Sequence, residues 1–223
     1  MTIHEDFAPF HQSAYAAHSG LAGDTGYARG AAKRALDLAL AIPALIVLAP
    51  LMIVLAILIR AGSQGPAIFR QTRLGLHGAS FKILKFRTMT VVENGPVIKQ
   101  AERNDARITA VGAWMRRLSL DELPQLINVI NGDMSLIGPR PHALAHDSFY
   151  GREIAGYDKR QMVKPGISGW AQIHGHRGAT VTVSRMRERL AYDVWYARNA
   201  TFALDVKIII RTFGEVLSQR NAY

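Results

Sequence analysis

Two adjacent carboxylates, Asp121 and Glu122, are the side chains of this 223-residue chain best suited to chemistry. The segment SLDELP at 119–124 that contains them also fits a simpler, structural role. Ser119 followed three residues later by Glu122 matches a capping box, acidic residues suit the positive end of a helix dipole, and proline is accepted in a first turn. The pattern therefore predicts a helix start here, with or without a catalytic function.

Arginines on both sides of the carboxylate pair favour a catalytic function. Arg116 and Arg117 precede it by about one helical turn, and Arg140 follows in the loop motif GPRP at 138–141. A guanidinium group can bind two phosphate oxygens at once, which lysine cannot do. A carboxylate nucleophile, a carboxylate able to hold a metal ion and arginine clamps are the components of phosphoryl-transfer sites. We therefore expect phosphoryl chemistry.

An uncharged apolar segment at 38–59 predicts membrane contact. At about 1.5 Å per helical residue, this segment could cross a hydrocarbon core of about 30 Å. Pro43 and Pro50 lie within it, and each removes a helix hydrogen bond. Basic residues flank both ends, and such flanks favour the cytoplasmic side. We therefore expect a re-entrant helical hairpin over 31–62 that enters and leaves by one leaflet, although hydropathy alone also allows a kinked span.

The elements that position the carboxylates are predicted from periodicity and turn residues. Segment 67–89 alternates around a glycine-containing turn, which predicts a β-hairpin. Apolar spacing predicts helices over 113–118 and 123–130. A C-terminal helix over 184–217, rich in aromatic and basic residues, suits either a membrane interface or a packed surface. The expected fold class is α+β and mostly helical, with a re-entrant membrane hairpin, interfacial amphipathic helices and a small β element.

Composition limits the class of protein and its partners. The chain has 27 basic and 17 acidic residues, a formal net charge of +10, 49% hydrophobic residues and no cysteine. This excludes a disordered chain, disulfides and thiolate chemistry. The basic charge suits nucleic acid, an anionic membrane or a phosphorylated substrate, but the sequence has no nucleic-acid-binding signature, so we expect no nucleic acid partner. We divide the chain into a flexible extension (1–30), a membrane insert (31–62) and a cytoplasmic body (63–223).

Five ordered motifs resemble the bacterial sugar transferase family, the monotopic polyprenyl-phosphate hexose-1-phosphate transferases that start exopolysaccharide and glycan assembly. They are KRALDLALAIPALIVLAPLMIVLAILI, IFRQTRLGLHGASFKILKFRTM, RRLSLDELPQLINVINGDMSLIGPRP, KPGISGWAQIHGHRG and YDVWYARNATFALDVKI. The resemblance covers residues 33–213. It departs at Ala49 before Pro50, where the family often has serine, so the break of the membrane helix would depend on proline and packing.

The resemblance implies an undecaprenyl-phosphate hexose-1-phosphate transferase. Asp121 would attack the sugar-linked phosphorus of a UDP-sugar donor, expel UMP and form an aspartyl-phosphosugar that undecaprenyl phosphate resolves. Glu122 would be its catalytic partner and help to hold Mg²⁺, the implied cofactor. Because a carboxylate attacks an anionic diphosphate poorly, Mg²⁺, Arg116 and Arg140 would screen the repulsion.

Further substrate contacts are implied by the same motifs. Lys85 and Arg87 in KFRTM match a basic stretch assigned to phosphate or headgroup contact, with a solvated edge strand as the alternative. Arg177 in IHGHRG is expected to help hold the nucleotide, with an ordinary turn arginine as the alternative. For Asp193 and Asp205 we expect structural ion pairs, with a direct catalytic role as the alternative.

The resemblance also implies a location and leaves other properties open. The protein would act at the cytoplasmic face of the bacterial inner membrane, in contact with membrane lipid, and an oligomer is left open. The stretch WAQIHGHRGAT resembles that of members that transfer glucose-1-phosphate, while galactose stays open. The competing hypothesis is a non-catalytic, membrane-anchored basic scaffold. A degenerate transferase would need to have lost the carboxylates or arginines, and none is lost.

Overall fold

The computed structural model describes residues 26–90, 105–178, 180 and 182–218. A long helix packs along a body of shorter helices and two small sheets. The helices are α1 (Ala31–Gly62), α2 (Ala110–Arg117), α3 (Gln125–Asn131), α4 (Leu144–Glu153), α5 (Val183–Asn199) and α6 (Phe202–Ser218). The strands are β1 (Ile68–Leu74), β2 (Ser80–Phe86), β3 (Ser135–Ile137) and β4 (Gly166–Ser168). The prediction of a mostly helical chain with a small β element is confirmed.

The predicted hairpin is present and is tied to α3. Strands β1 and β2 are antiparallel, with Ile68 paired to Phe86. The buried side chain of Asn128 on α3 bonds to the outer edge of β2: its Oδ1 accepts from Leu84 N at 2.9 Å, and its Nδ2 donates to Lys82 O at 2.8 Å. The amide group thus replaces a neighbouring strand, which fixes β2 relative to α3.

A second, parallel sheet was not predicted from the sequence. Strand β3 pairs with β4, with Ser135 opposite Gly166 and Ile137 opposite Ser168. The loop GPRP leaves β3 at Gly138, where a Cβ atom would collide with the carbonyl oxygen of Lys164. Only glycine allows this close approach of two backbones, so the sheet determines where the loop that carries Arg140 begins.

Helix α1 is continuous through Pro43 and Pro50. Its buried residues on both sides of Pro50, Ala41 before it and Leu55 and Ile59 after it, pack on the same body. The opposite face exposes large apolar side chains: Leu40, Ile42, Ile46, Val47, Leu51, Ile53, Val54, Ile57 and Leu58. By length and composition alone, α1 is the one helix of the described residues that could cross a membrane. One unbroken helix replaces the expected break, and the re-entrant path stays a prediction.

A buried ionic cluster holds the start of α1 on the body. Lys33 Nζ lies 2.7 Å from Asp205 Oδ2 on α6 and 3.4 Å from Asp37 Oδ1. Asp37 Oδ1 also accepts from Ser135 Oγ at 2.9 Å and from Leu136 N at 3.0 Å on β3. The ion pair predicted for Asp205 is therefore confirmed, and it connects three elements distant in sequence.

The end of the predicted N-terminal extension belongs to the folded body. Tyr27 donates its hydroxyl to Asp205 Oδ2 at 3.0 Å, and Ala28 is buried in the core. Tyr27 and Ala28, which the sequence analysis placed in the extension, thus pack on the body, while Gly26 and Arg29 are exposed. The rest of that assignment, residues 1–25, lies outside the described residues.

The predicted single helix over 184–217 is wrong, because two helices occupy this segment. Helix α5 ends at Asn199, and α6 begins at Phe202. Thr201 Oγ accepts from Leu204 N at 3.2 Å, which caps the start of α6. Helical periodicity continues on both sides of this break, so spacing alone could not reveal it. Phe202 and Ile210 of α6 are exposed.

Replacing Lys33 tests whether the ionic cluster anchors α1. In Lys33→Met, Asp37 and Asp205 stay buried without their cation, which costs about 3–5 kcal/mol. For a chain of this size, we expect the midpoint of thermal unfolding in detergent to fall by about 6–20 °C. Lys159→Met, at an exposed position, is the control. Equal melting of both variants would contradict the anchoring role.

Candidate active site

The carboxylate pair lies in a short 3₁₀ turn, Leu120–Glu122, between α2 and α3. The predicted capping box is wrong. Ser119 has a left-handed backbone (φ 57°) and its side chain caps no helix; instead its Oγ accepts from Arg177 Nη2. Helix α3 begins only at Gln125. The two carboxylates therefore occupy a tight connection rather than the first turn of a long helix.

Two cations hold Glu122. Arg140 Nη1 donates to Oε2 at 3.1 Å, and Arg140 Nη2 donates to Oε1. Lys85 Nζ on β2 donates to Oε1 at 3.1 Å. Burial alone would raise the pKa of Glu122, but Arg140 and Lys85 outweigh it and hold the pKa well below its usual range. Glu122 is thus ionised, with both oxygens engaged.

Asp121 has the opposite environment. It is buried, and its carboxylate makes no hydrogen bond or ion pair with any residue in the described ranges. Burial and the adjacent charge of Glu122 raise the pKa of Asp121, against the opposing effects of Lys85, Arg116 and Arg140. A carboxylate of raised pKa and with unengaged oxygens is suited to act as a nucleophile. The pair is therefore divided between one carboxylate held by cations and one carboxylate that is bonded to no described residue.

Lys85, Arg116 and Arg140 are the predicted cations that the fold brings to the pair. Burial lowers the pKa of Lys85, while the charge of Glu122 opposes this shift. Arg116, on the last turn of α2, lowers the pKa of Asp121, whereas the neighbouring Arg117 is exposed. The helix thus places beside the pair Arg116, the arginine that the resemblance named, and turns Arg117 to solvent.

The loop that carries Arg140 is held by two arginines that sequence reasoning missed, the buried Arg160 and the half-buried Arg73. Arg160 Nη2 donates to Arg140 O at 2.6 Å and pairs with Asp193 Oδ2 at 2.8 Å, so the ion pair predicted for Asp193 is confirmed. Arg73 Nη1 donates to Pro141 O at 3.4 Å. Burial and the nearby Arg140 lower the pKa of Arg73 to about 10. Nothing in the sequence around Arg160 or Arg73 indicates that either residue holds the Arg140 loop.

Two predicted substrate-binding arginines make contacts elsewhere. Arg87 is buried at the end of α1, where Nη2 donates to Ser63 O at 2.8 Å and Nη1 donates to Gln64 O. The structure therefore does not bring Arg87 to the carboxylate pair, and its predicted phosphate contact is not supported by its position. Arg177 contacts Ser119, next to the catalytic turn. Its predicted contact with a nucleotide stays a prediction.

The predicted metal ligand, Glu122, lies against two cations in the structure. Within the described ranges, no group of three His, Cys, Asp or Glu residues could hold a metal ion. Both oxygens of Glu122 are bonded to cations, so Asp121 is the carboxylate that offers oxygens. Mg²⁺ commonly binds one or two carboxylates together with substrate phosphates and water. The unengaged oxygens of Asp121, together with a bound diphosphate, are therefore suited to hold Mg²⁺, and a contribution from Glu122 stays a prediction.

Gln125 is a further candidate that the sequence analysis did not identify. It follows Asp121 by four residues and is buried, and its Nε2 has no hydrogen-bond partner within the described part of the chain. Unsatisfied buried donors are rare and often mark functional sites. Its position four residues after Asp121 was the feature of the sequence that could have identified Gln125.

Comparison with known proteins agrees with a site for sugar-phosphate transfer. The model of the bacterial sugar transferase family matches residues 28–219, so the chain belongs to this family and is a glycosylphosphotransferase. The UDP-glucose:undecaprenyl-phosphate glucose-1-phosphate transferase of Caulobacter vibrioides is 50% identical over 86% of this chain and 72% of the relative. The Escherichia coli transferase of the same description is 48% identical over 86% of this chain, which spans 41% of that longer relative.

A relative with a different sugar shows that the family is not uniform. The UDP-N-acetylgalactosamine-undecaprenyl-phosphate N-acetylgalactosaminephosphotransferase of Aeromonas hydrophila is 40% identical over 83% of this chain and 44% of its own length. Family membership therefore does not decide the sugar.

The division of charge between the carboxylates can be measured by infrared spectroscopy. Burial also raises the pKa of Asp147 and Asp193, so we expect a composite protonated carboxyl band in the wild type. The component from Asp121, which titrates above the ordinary aspartate pKa of 3.8, is lost in Asp121→Asn. In Glu122→Gln, the adjacent anion is lost, so the pKa of Asp121 falls and this component titrates at lower pH. Asp158→Asn, at an exposed position, should leave the band unchanged. An unchanged titration in Glu122→Gln would contradict this assignment.

Proposed function

We propose that this protein transfers glucose-1-phosphate from UDP-glucose to undecaprenyl phosphate, the first membrane step of exopolysaccharide or glycan synthesis. The observation that carries the proposal is the asymmetric carboxylate pair, with Glu122 held by Arg140 and Lys85 and with Asp121 unengaged beside it. The descriptions of the Caulobacter and Escherichia coli relatives supply the donor and the acceptor.

The proposed reaction has two displacements at the same phosphorus. A carboxylate oxygen of Asp121 bonds to the sugar-linked phosphorus, the pyrophosphate P–O bond breaks, and UMP leaves. A phosphate oxygen of the lipid then attacks this phosphorus and releases the carboxylate of Asp121. One pyrophosphate linkage replaces another, so substrates and products are close in free energy. The main contribution of the enzyme is therefore the covalent intermediate that carries the sugar phosphate from donor to lipid.

The cations of the site lower the repulsion between an anionic nucleophile and an anionic diphosphate. Arg116 and Arg140 are placed to stabilise charge on the transferring oxygens, and the bond of Arg140 to Glu122 keeps its guanidinium beside Asp121 before substrate arrives. Mg²⁺, when bound by Asp121 and the substrate phosphates, would neutralise further phosphate charge.

We also propose that the protein is monotopic and that its site faces the cytoplasm at the inner membrane. Both ends of α1 are tied to the same body, by Lys33 with Asp205 at the start and by Arg87 with Ser63 at the end. A 32-residue helix is about 48 Å long, and its apolar face is exposed between these attachments. This arrangement supports a helix that stays on one side of the bilayer with its apolar face in the lipid, where a lipid phosphate and a soluble nucleotide-sugar can both reach Asp121.

A donor panel tests the proposed reaction. Solubilised full-length protein is given Mg²⁺, undecaprenyl phosphate and UDP-glucose, UDP-galactose or UDP-N-acetylgalactosamine. We expect UMP and a lipid-linked product from UDP-glucose, with both lost by at least about 10³-fold in Asp121→Asn. Asp158→Asn, at an exposed position, is the matched control.

The panel also separates the competing hypotheses. If a lipid-linked product forms from another donor, the proposed sugar is wrong, whereas the proposed transfer reaction stands. If every donor stays intact under conditions where the Caulobacter relative is active, the scaffold hypothesis replaces the enzymatic one.

A further inference from the structure

We propose that Arg177 is a positioning residue: it holds Ser119 in a left-handed conformation and thereby fixes the turn that presents Asp121. This inference rests on the proposed function for its kinetic test, because it assigns Asp121 the reacting oxygen. It differs from the prediction that Arg177 binds the nucleotide. The contact that carries it is the hydrogen bond from Arg177 Nη2 to Ser119 Oγ.

The backbone at Ser119 is unusual for its residue type. Within the described ranges, Ser119 and His77 are the two residues other than glycine with positive φ. Ser119 lies just past the cap residue of α2, Leu118, at a position where helices that end in a left-handed residue usually have glycine. A residue with a Cβ persists in this conformation when its surroundings hold it, and such residues cluster at functional sites.

The side chain of Ser119 offers what glycine lacks, a hydroxyl for Arg177. The Ser119 amide donates to Arg116 O at 3.1 Å, and its carbonyl accepts from Glu122 N at 3.2 Å. Ser119 is therefore bonded through its backbone to the helix that carries Arg116 and to the turn that carries Asp121. A change of its φ angle would move Asp121 relative to the cations.

Arg177 is itself on a supported loop. The buried Arg189 of α5 donates through Nη2 to Gly178 O at 2.7 Å and to His176 O, so it holds the residues on both sides of Arg177. Its Nη1 lies 3.2 Å from Nε2 of His142, two residues after Arg140. Helix α5 thus supports the loop of Arg177 and the loop of Arg140 together, which makes Arg177 a fixed donor for Ser119.

The first test needs no catalysis. Amide hydrogen exchange is measured by mass spectrometry on the peptide that covers residues 118–123, in solubilised full-length wild type, Arg177→Ala and Arg187→Ala. Arg187 is an exposed arginine on α5 and provides the matched control. We expect faster exchange of this peptide in Arg177→Ala and wild-type exchange in Arg187→Ala, because the turn opens more often without its donor. Unchanged exchange in Arg177→Ala overturns the proposal.

The second test separates positioning from nucleotide binding. In Ser119→Ala and in Arg177→Ala, we expect kcat to fall by about 10- to 100-fold with KM for UDP-glucose nearly unchanged, because a small misplacement of reacting groups costs rate. The double variant should be no slower than either single one. In a Ser119→Gly background, where no Cβ strains the turn, Arg177→Ala should cost less than it does in the wild type.

One kinetic outcome overturns the proposal: Arg177→Ala raises KM for UDP-glucose and leaves kcat unchanged, and the rise in KM is the same whether residue 119 is Ser or Gly. That result would assign Arg177 to the nucleotide. If the wild type transfers no sugar at all, the proposed function fails, whereas the hydrogen-exchange result still decides whether Arg177 positions the turn.

Discussion

The structure depends on charge compensation around two adjacent buried carboxylates. An unpaired buried charge is costly, so Glu122 can stay ionised only with Arg140 and Lys85 against it. These partners come from a loop and a strand distant in sequence, and both must be held in place. Asn128 fixes β2 and hence Lys85, while Arg160 and Arg73 hold the Arg140 loop. Much of the body is therefore a support for one ion-paired carboxylate, beside which Asp121 stays free to react.

Helix α1 meets a related constraint, because an apolar segment must be attached to a basic body without burying unpaired charge. Lys33 is placed between Asp37 and Asp205, and Ser135 and Leu136 satisfy Asp37 further. At the other end, Arg87 is bonded to backbone carbonyl groups. The same body therefore holds both ends of α1 and the catalytic turn, which keeps the site at a constant distance from the apolar surface.

Local patterns predicted the hairpin, the apolar helix and the reactive pair, since these depend on neighbours in sequence. Local patterns failed where the side chain forms a hydrogen bond to a residue distant in sequence instead of the local contact that the pattern predicts. The capping box at Ser119 matched its consensus, yet the hydroxyl is bonded to Arg177, 58 residues later. Arg87 matched a phosphate-binding pattern, yet it is bonded to the end of α1. The long C-terminal helix failed for a local reason, because Thr201 caps a new helix without interrupting the periodicity.

By itself, the sequence determined the family of the protein and predicted phosphoryl chemistry and membrane contact, because residue type sets which groups can attack or hold phosphate and because uninterrupted hydropathy is a property of the chain alone. Tertiary structure alone decided the contacts on which these roles depend. It bonded Glu122 to Arg140 and Lys85, left Asp121 without a hydrogen bond to any described residue, and placed the buried Arg160 and the half-buried Arg73 against the Arg140 loop. The physical reason is that pKa, burial and hydrogen-bond partners arise from groups brought together across the fold, and no spacing along the chain encodes those distances.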